Sequence, residues 1–200
     1  MIVRLDPAHV QAVASSMARA FASEPNFEFV LPEPSRRAAV LPWIFGRSVA
    51  ALASRLGEAF TTEAREGGAF WIAPGRHVGF LDGVRAGVLE APFRMGLGGA
   101  RRFATLGGRI DRVRLAHVPE PHWYLMALGV DPSRQRQGIG GELLRPILDR
   151  ADRTNVACYL ETFAERNLAI YARFGFEVCA QDAVPDGPRF WGMIRRPGKA

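Results

Sequence analysis

The sequence predicts an α/β fold in which helices flank a mixed β-sheet. Two observations in the C-terminal part support this prediction. Apolar runs of strand length alternate there with stretches whose apolar residues recur at helical spacing, in the order strand, helix, strand, helix, strand, strand. Glycine or proline stands near most of the junctions between these segments, as is usual at element boundaries. With 200 residues, 48% hydrophobic and 23% charged, the chain fits one compact domain and not a disordered protein.

The elements of the C-terminal part follow from these patterns. The mainly apolar run at 123–130 is typical of a strand buried on both faces. Ile139, Leu143 and Ile147 recur at helical spacing and predict the next helix, and Gly175 ends the helix after it. The predicted strands are 123–130, 156–162, 176–180 and 189–195, and the predicted helices are 138–152 and 166–174.

The N-terminal part carries weaker signals. Asp6 and Pro7 are typical of a helix start, whereas proline-rich stretches are typical of loops. Between 75 and 117, helical stretches are interrupted by glycines, and no definite element is predicted. The elements predicted before that region are a helix at 8–22, a loop at 25–34, a helix at 35–56 and a hairpin of strands at 58–64 and 69–73.

Composition argues against several classes of protein. No apolar run reaches the ~18 residues of a membrane helix, and the N-terminus lacks the apolar region of a secretion signal, so we expect a cytoplasmic location and no membrane partner. Cys158 and Cys179 are too few for a disulfide framework and are predicted to pack as small apolar residues. The net charge of +6 comes almost entirely from arginines, which suit a phosphate-bearing ligand. They are scattered and accompany no nucleic-acid-binding motif, so no nucleic-acid partner is expected.

A glycine-rich loop after the strand at 123–130 carries the chemistry. Backbone N–H groups at a helix N-terminus favour anions, and glycines let phosphate oxygens approach the backbone closely. The loop is neither a Walker loop nor a dinucleotide fingerprint, because the residues that complete those motifs are missing. It predicts a phosphate or pyrophosphate site, with added charge from Arg134 or Arg136, or else a simple tight turn. Its residues are Gln135, Arg136, Gln137, Gly138, Ile139, Gly140 and Gly141.

The spacing Gln135-x-x-Gly138-x-Gly140 after an apolar strand resembles motif A of the GNAT acetyltransferase superfamily, whose members bind acyl-CoA. The run at 165–176 resembles the Asn…Tyr…Gly-Phe helix of the same superfamily. This detailed resemblance covers the C-terminal part only. Four short segments resemble in particular the puromycin N-acetyltransferase branch, namely 121–125, 160–162, 166–168 and 184–188.

The resemblance implies a GNAT-type fold, with a mixed, mostly antiparallel sheet whose central strands splay apart around the pantetheine arm of acetyl-CoA. Backbone groups of Leu128 and Val130 would bond the pantetheine and the acetyl carbonyl, and the loop at 135–141 would hold the pyrophosphate. Asn167 would bond the pantetheine amide. Tyr171, four residues later on the same helix face, would protonate the departing thiolate. Acetyl-CoA is thus the expected co-substrate, and no metal is expected.

The general base is less well defined. Glu161 ends the second splayed strand, and its carboxylate is either the base that deprotonates the amine or a structural partner of an arginine such as Arg166. His117 and His122 are further candidates, although His122 suits a strand edge better and no tetrahedral set of metal ligands is evident. Aromatic residues that could line the acceptor pocket, although such residues more often belong to a core, are Trp43, Phe45, Phe27 and Phe29.

We therefore expect one domain over 1–200, with an acceptor-shaping half at about 1–120 and an acetyl-CoA-binding half at about 121–200. The expected activity is transfer of an acetyl group from acetyl-CoA to a primary amine of a small molecule, by direct attack in a ternary complex. Two alternatives are an N-acetyltransferase of proteins or peptides and a non-catalytic acyl-CoA-binding module. An exposed sheet edge could support a homodimer.

Overall fold

The computed structural model describes residues 1–118 and 121–198, and a single sheet of seven strands lies at its centre. The strands are β1 (Ile2–Arg4), β2 (Gly57–Thr62), β3 (Gly67–Ile72), β4 (His122–Val130), β5 (Ala157–Thr162), β6 (Glu177–Ala183) and β7 (Arg189–Arg195). The α-helices are α1 (Val10–Ala20), α2 (Pro25–Val30), α3 (Pro34–Trp43), α4 (Ala51–Leu56), α5 (Phe80–Arg85), α6 (Ala91–His117), α7 (Ile139–Thr154) and α8 (Leu168–Ala172).

The sheet is mixed and mostly antiparallel, as the sequence predicts. Its strand order is β1-β2-β3-β4-β5-β7-β6, and every neighbouring pair is antiparallel except β4 with β5. The parallel pairing of β4 and β5 ends where Leu125 pairs with Leu160. Both strands continue beyond this pair, β4 to Val130 and β5 to Thr162, so the two central strands splay apart as expected.

Helices cover both faces of the sheet and bury two apolar cores. On one face, α1 to α4 pack with Phe70 of β3 around the fully buried Val13 and Phe45. On the other face, α7 packs Leu144 and its neighbours against Trp71 of β3. Phe70 and Trp71 are adjacent in the chain and enter different cores, because successive strand residues point to opposite faces.

Most predicted elements are confirmed. The strands at 58–64 and 69–73 correspond to β2 and β3, and the helix at 138–152 to α7. The helix predicted over 35–56 is α3, a π-helix at Ile44–Ala50 and α4 in unbroken succession. The helix predicted over 166–174 is shorter, a 3₁₀ turn at Glu165–Asn167 followed by α8.

The prediction of a loop over 25–34 was wrong, because this stretch contains α2. Pro25 occupies the first turn of α2, where the missing N–H of proline has no helical partner to lose. Phe27 and Val30, three residues apart on one face, are both buried and attach the helix to the core. Strand β1 was not predicted, since three residues are too few to show an alternating pattern.

The long connection between β3 and β4 consists mainly of α5 and α6. Helix α6 bends at Gly96, whose φ of 72° is outside the helical range and is one that glycine adopts readily. Beyond this bend α6 runs along the sheet face that also carries α1 to α4, and its Leu106 joins their core. Within 1–118 and 121–198, no helix combines the length and the apolar character that crossing a membrane requires.

Candidate active site

The candidate site is the gap that the splayed ends of β4 and β5 leave in the sheet. Strand β4 stays paired with β3 as far as Val130, but its edge towards β5 is unpaired beyond Leu125. A cavity of about 1200 Å³ occupies this gap, and helices from both faces of the sheet contribute to its wall. A free strand edge offers N–H and C=O groups to an extended ligand that carries amides.

The loop at 135–141 forms one end of the cavity. Arg136 and Gly138 have φ angles of 61° and 84°, so the backbone turns sharply before α7 begins. The position of a Cβ on Gly138 has no atom within 4 Å, so this side of the loop is open. The N–H groups of Gly141 and Glu142 bond the carbonyl of Gly138, whereas the N–H groups before them have no partner within the helix. The start of a helix of 16 residues is therefore open to an anion.

Side chains around the loop fix it to the sheet. The amide of Gln135 donates from Nε2 to the carbonyl oxygen of Val130 over 3.0 Å, so this side chain ties the loop to the end of β4. Arg134 is paired with Glu66 at 2.5 Å, which leaves Arg136 as the exposed arginine of the loop. Gln137 is exposed and is the one predicted cofactor-binding residue that does not line the cavity.

The beginning of α7 lies tightly against the segment that follows α8. A Cβ on Gly141 would lie 2.7 Å from the Phe174 ring, so only glycine fits there without movement of that ring. A Cβ on Gly140 would meet only Val130, at 3.8 Å. Gly141 thus serves helix packing, while Gly138 and Gly140 keep the loop accessible.

Asn167 and Tyr171 line the cavity from α8 and the turn before it. Asn167 donates from Nδ2 to the Thr162 hydroxyl over 3.1 Å, a bond that orients the amide beside the end of β5. Tyr171 is 9% exposed and its ring makes an edge contact with Phe176 at 5.9 Å. Burial, with a smaller contribution from the charge of Glu24, raises the pKa of Tyr171, so its hydroxyl keeps its proton at neutral pH.

Glu161 lines the cavity from the opposite face of the sheet. On the same strand, Leu160 and Cys158 pack towards α7. Tyr159, two residues before Glu161, packs on the other face of the sheet beside Val118. Glu161 shares the face of Tyr159, because side chains alternate along a strand. Glu161 and Tyr171 therefore approach the gap from two different sides.

The carboxyl of Glu161 is unusual in its environment. Burial raises the pKa of Glu161 to about 8, although the nearby Tyr124 and Tyr159 hydroxyls and the Arg114 guanidinium act in the opposite direction. Oε1 of Glu161 is buried and accepts no hydrogen bond of ordinary geometry from the described part of the chain. A carboxyl with this pKa can take up and release a proton near neutral pH, as a general base must.

A small polar network supports this side of the cavity. The Arg114 guanidinium lies over the Tyr124 ring, 4.8 Å from its centroid, and bonds Asp111 at 2.9 Å. Burial, together with the charge of Glu161, raises the pKa of Tyr124 well above its ordinary value. Tyr124 is thus a neutral hydroxyl next to Glu161.

The remaining wall on the Glu161 side is largely apolar. Phe27 and Phe45 are part of it, whereas Trp43 and Phe29 are not. Trp43 instead donates from Nε1 to Glu90 over 3.2 Å. The apolar residues of this wall are Phe21, Phe27, Ile44, Phe45, Val49, Leu52, Val78, Phe103, Leu106, Ile110, Met126 and Phe163.

The other candidate bases do not line the cavity. His122 begins β4 and packs at 6.0 Å from the Tyr159 ring, and the Nδ1 of His117 lies 2.9 Å from the carbonyl of Val113 on α6. Arg166 forms its ion pair with Glu24, so the arginine whose charge acts on Glu161 is Arg114 and not Arg166.

Two further expectations concern metals and cysteines. Among residues 1–118 and 121–198, no cluster of His, Cys, Asp or Glu could hold a metal ion. Cys158 is fully buried, and burial raises the pKa of its thiol to about 12, so it is no thiolate nucleophile. Cys179 is only partly buried.

Sequence reasoning missed Tyr124 and Asn26, which both line the cavity. Tyr124 pairs with Tyr159, two residues before Glu161, so strand alternation would have found it once the register was known. Asn26 lies in α2, the helix that was predicted as a loop, and carries no local signal.

Comparisons with known proteins agree with this fold. The N-alpha-acetyltransferase RimI of Mycobacterium tuberculosis is 38% identical over 79 residues, which are 40% of this chain and 50% of that protein. This chain therefore spans about half the length of that relative. Among solved structures, a histone acetyltransferase HPA2-related protein of Corynebacterium glutamicum has a TM-score of 0.69 at 20% identity, covering 100% of this chain and 97% of that one. Arylalkylamine N-acetyltransferase 2 of Aedes aegypti has a TM-score of 0.63 at 13% identity, covering 99% of both chains.

These structural likenesses concern the fold, whereas the family follows from the sequence. The model of the acetyltransferase (GNAT) family matches residues 53–176, from α4 to the start of β6. The matched region includes the splayed strands, the loop at 135–141 and Tyr171. This chain belongs to the acetyltransferase (GNAT) family.

Proposed function

We propose that the protein transfers an acetyl group from acetyl-CoA to a primary amine of a small, largely apolar molecule. One observation carries the proposal: Glu161 and Tyr171 reach the same gap from different sides. An acyl transfer to an amine needs a proton removed on the side of the amine and a proton supplied on the side of the thiol. Glu161 can take up a proton near neutral pH, and Tyr171 keeps its proton until a thiolate accepts it.

The residues around the gap fit acetyl-CoA. The open loop at Gly138 and the start of α7 suit a pyrophosphate, and the unpaired edge of β4 beyond Leu125 suits the amides of a pantetheine arm. When bound, acetyl-CoA supplies the acetyl thioester and, after transfer, a thiolate. The proposed holding residues are those expected from the sequence, Leu128, Val130 and Asn167 with the loop at 135–141.

On the acceptor side, Glu161 performs the proton transfer. It holds the incoming ammonium group and takes one proton, directly or through water, so that the amine nitrogen becomes a nucleophile. The C–N bond then forms as the C–S bond breaks, and the nitrogen releases its second proton to water, so that a neutral amide results. Tyr124 provides a neutral hydroxyl beside the protonated carboxyl group that results.

On the leaving-group side, Tyr171 holds the second proton. Its hydroxyl stays protonated because its pKa is raised, and it donates this proton to the thiolate sulfur. The backbone N–H near Val130 stabilises the charge that develops on the acetyl oxygen. No covalent enzyme intermediate is required, in keeping with the buried thiol of Cys158.

The apolar wall favours a small hydrophobic amine over a protein N-terminus. Phe27, Phe45 and the helix residues around them form the acceptor side, and Glu161, once it has lost its proton, provides an anionic anchor for an ammonium group. Acetylation of a protein N-terminus is the second candidate, favoured by the 38% identity to RimI over 79 residues. We further propose that 1–120 shapes the acceptor side and 121–200 the acetyl-CoA side of one domain. The dimer and the cytoplasmic location stay predictions.

The first test is binding of acetyl-CoA, measured as a shift in thermal stability. At 100 times its Kd, a ligand bound only by the native state adds about 2.7 kcal/mol to the free energy of unfolding. Gly138→Ala and Gly75→Ala form a matched pair, since both glycines have positive φ, 84° and 71°, and at neither position would a Cβ meet another atom within 4 Å. Both variants lose similar stability through strain, but only Gly138→Ala should lose the shift with acetyl-CoA.

The second test is thiol release from acetyl-CoA in the presence of amines. Small apolar amines, puromycin among them because of the sequence resemblance, should release thiol faster than a peptide with a free N-terminus. Binding of acetyl-CoA without release of thiol by any amine or peptide would indicate the non-catalytic module. A wild-type protein that acetyl-CoA does not stabilise would contradict the proposal altogether.

A further inference from the structure

Arg114 is a largely buried cation near the end of α6, and the proposed chemistry does not use it. Its side chain is 12% exposed, and its guanidinium lies 4.8 Å from the centroid of the Tyr124 ring. Nη2 of Arg114 bonds Asp111 at 2.9 Å, three residues earlier on the helix, and Nη1 lies 3.5 Å from Nε2 of His122. Burying an arginine is unfavourable unless other groups compensate for the lost water, so these contacts indicate what the residue does.

The Tyr124 ring connects this cation to the cavity. Tyr124 pairs with Tyr159 in the parallel register of β4 and β5, and the two rings lie 6.1 Å apart. Glu161, two residues after Tyr159, points to the same face of the sheet. The hydroxyls of Tyr124 and Tyr159 act on the Glu161 carboxyl as hydrogen-bond donors. The three side chains thus form one group on this side of the gap, and the Arg114 guanidinium lies over one of its rings.

The guanidinium restricts where the Tyr124 ring can lie. The strand register fixes the backbone of Tyr124, but a tyrosine ring in a cavity wall can still rotate about its side-chain bonds. A cation over an aromatic ring is attracted by the electron-rich face, most strongly where water is excluded. Asp111 holds the guanidinium in this position from one helical turn earlier. Rotation of the Tyr124 ring would therefore break its contact with Arg114 and take the hydroxyl away from Glu161.

Arg114 also differs in charge from the other groups around Glu161. The positive charge of Arg114 lowers the pKa of this carboxyl, whereas the negative charge of Asp111 raises it. The other titratable groups around the carboxyl are neutral near pH 7, because burial raises the pKa of each; they are Tyr124 of β4, Tyr159 of β5 and Cys179 of β6. The charge that favours the carboxylate form of Glu161 on this side of the gap therefore comes from α6.

We propose that Arg114 is a positioning residue, which holds the Tyr124 hydroxyl on the Glu161 carboxyl and supplies the positive charge that favours the carboxylate. This inference rests on the proposed function, in which that carboxylate is the base. Arg114 does not line the cavity, so it acts on the reaction only through Tyr124 and Glu161. Helix α6 then has a part in the chemistry in addition to its part in the apolar wall.

The test is the pH profile of thiol release for Arg114→Gln, with one apolar amine that the wild type acetylates. Loss of a nearby cation raises the pKa of a carboxyl, so the midpoint of kcat/KM should move upward by at least about half a pH unit. At pH 7, kcat/KM should then fall at least about threefold, while its plateau at high pH stays within about twofold of the wild type. The amine titrates identically with both proteins, so the shift reports on the enzyme.

Arg112→Gln is the matched control. Arg112 lies two residues earlier on α6, is exposed and does not line the cavity, and the variant loses the same charge. Its midpoint should equal that of the wild type. An equal shift in both variants, or no shift in a folded Arg114→Gln, would overturn the inference.

Tyr124→Phe separates positioning from charge. The variant keeps the ring and removes the hydroxyl, so its midpoint should itself lie above that of the wild type, since a hydrogen bond to the carboxylate is lost. In the Tyr124→Phe background, Arg114→Gln should shift the midpoint by less than in the wild-type background, because no hydroxyl remains to be positioned. Equal shifts in the two backgrounds would assign Arg114 an effect of charge alone and overturn its positioning role.

Arg114→Lys covers the case in which glutamine at this position does not fold, as the melting temperature would show. Lysine keeps the charge but not the planar group over the ring, so the midpoint should still lie above that of the wild type. An unchanged midpoint in Arg114→Lys, with Arg114→Gln unfolded, would overturn the inference.

Failure of the proposed function gives a different result. If no amine is acetylated, or if the pH profile is the same in Glu161→Gln, the proposed function fails, and the inference fails with it. An active wild type whose profile depends on Glu161, together with an unchanged midpoint in Arg114→Gln, overturns the inference alone.

Discussion

The two sides of the cavity are built in different ways. On the side of α7 and α8, the backbone forms much of the site: positive φ angles at Arg136 and Gly138, helix N–H groups, and the free edge of β4. On the opposite side, side chains from α1, α2, α4, α6 and the π-helix form an apolar wall around Glu161. A backbone site needs particular residues at fixed spacing, whereas a side-chain wall needs only suitable volume at each position.

This difference explains what each side contributes to function. We propose that the backbone side binds the part of the ligand that is the same in every turnover, since N–H groups can bond the phosphates and amides of any acyl-CoA. The side-chain side can vary in shape and polarity without loss of the fold. We therefore expect changes at Glu161 to slow the chemical step and changes at Gly138 to weaken binding of acetyl-CoA.

The largest effect should come from Glu161→Gln, which removes the proposed base and preserves the shape of the side chain. Loss of a general base lowers kcat by about 10²–10⁴-fold. Because the base must be deprotonated and the pKa of Glu161 is raised to about 8, kcat/KM of the wild type should rise with pH and level off above about pH 8. In Glu161→Gln this rise should disappear, as a pH series of thiol release would measure.

Glu165→Gln is the matched control for this prediction. Glu165 is an exposed carboxylate four residues later, outside the cavity wall. Its replacement should leave both kcat and the pH profile as in the wild type. If Glu161→Gln retained full activity, or if both variants lost it equally, Glu161 would not be the base.

Tyr171→Phe should have the next largest effect, on the other side of the gap. The variant removes one hydroxyl, so kcat should fall by about 10–10³-fold while the affinity for acetyl-CoA changes little. Cys158→Ala is the corresponding control, because a buried neutral thiol has no part in direct transfer. Steady-state kinetics combined with the acetyl-CoA stability shift would separate the two effects. An unchanged kcat in Tyr171→Phe would rule out its role as the acid.

The same difference between the two sides determines what could be predicted from the sequence. The loop at 135–141 and Tyr171 could be predicted as site residues because their residue types stand at fixed spacing. Asn26 could not be identified, since it contacts the site only after α2 folds, and Tyr124 needed the register of β4 with β5. The pairing of Glu24 with Arg166 joins residues that are 142 positions apart, and nothing in either local segment indicates it.

The raised pKa of Glu161 also predicts how stability depends on pH. In the unfolded chain this carboxyl should titrate near 4.5, whereas in the native state its pKa is about 8. Between these values the native state binds a proton that the unfolded state has released, so the free energy of unfolding falls as pH rises. Each unit of pKa difference is worth about 1.4 kcal/mol, so the contribution amounts to a few kcal/mol.

Glu161→Gln isolates this contribution, because glutamine does not titrate. Urea unfolding at pH 5 and pH 9 should show that the wild type loses stability relative to Glu161→Gln as pH rises. A difference between the two proteins that stays constant over this range would mean that Glu161 ionises in the native state as it does in the unfolded chain.

The smallest expected effect is on the free energy of unfolding, when Gly141 or Gly108 is replaced by alanine. Gly141 is packed against a neighbouring ring, whereas Gly108 is not. A Cβ on Gly141 would lie 2.7 Å from the Phe174 ring, whereas a Cβ on Gly108 in α6 would meet nothing within 4 Å. Gly141→Ala should therefore lower the free energy of unfolding by about 1 kcal/mol, since overpacking exceeds the gain in helix propensity. Gly108→Ala should raise it by about 0.5–1 kcal/mol, because alanine restricts the unfolded chain and creates no contact. Urea unfolding of both variants would measure the contrast, and equal stabilisation of both would show that the start of α7 is not held tightly against Phe174.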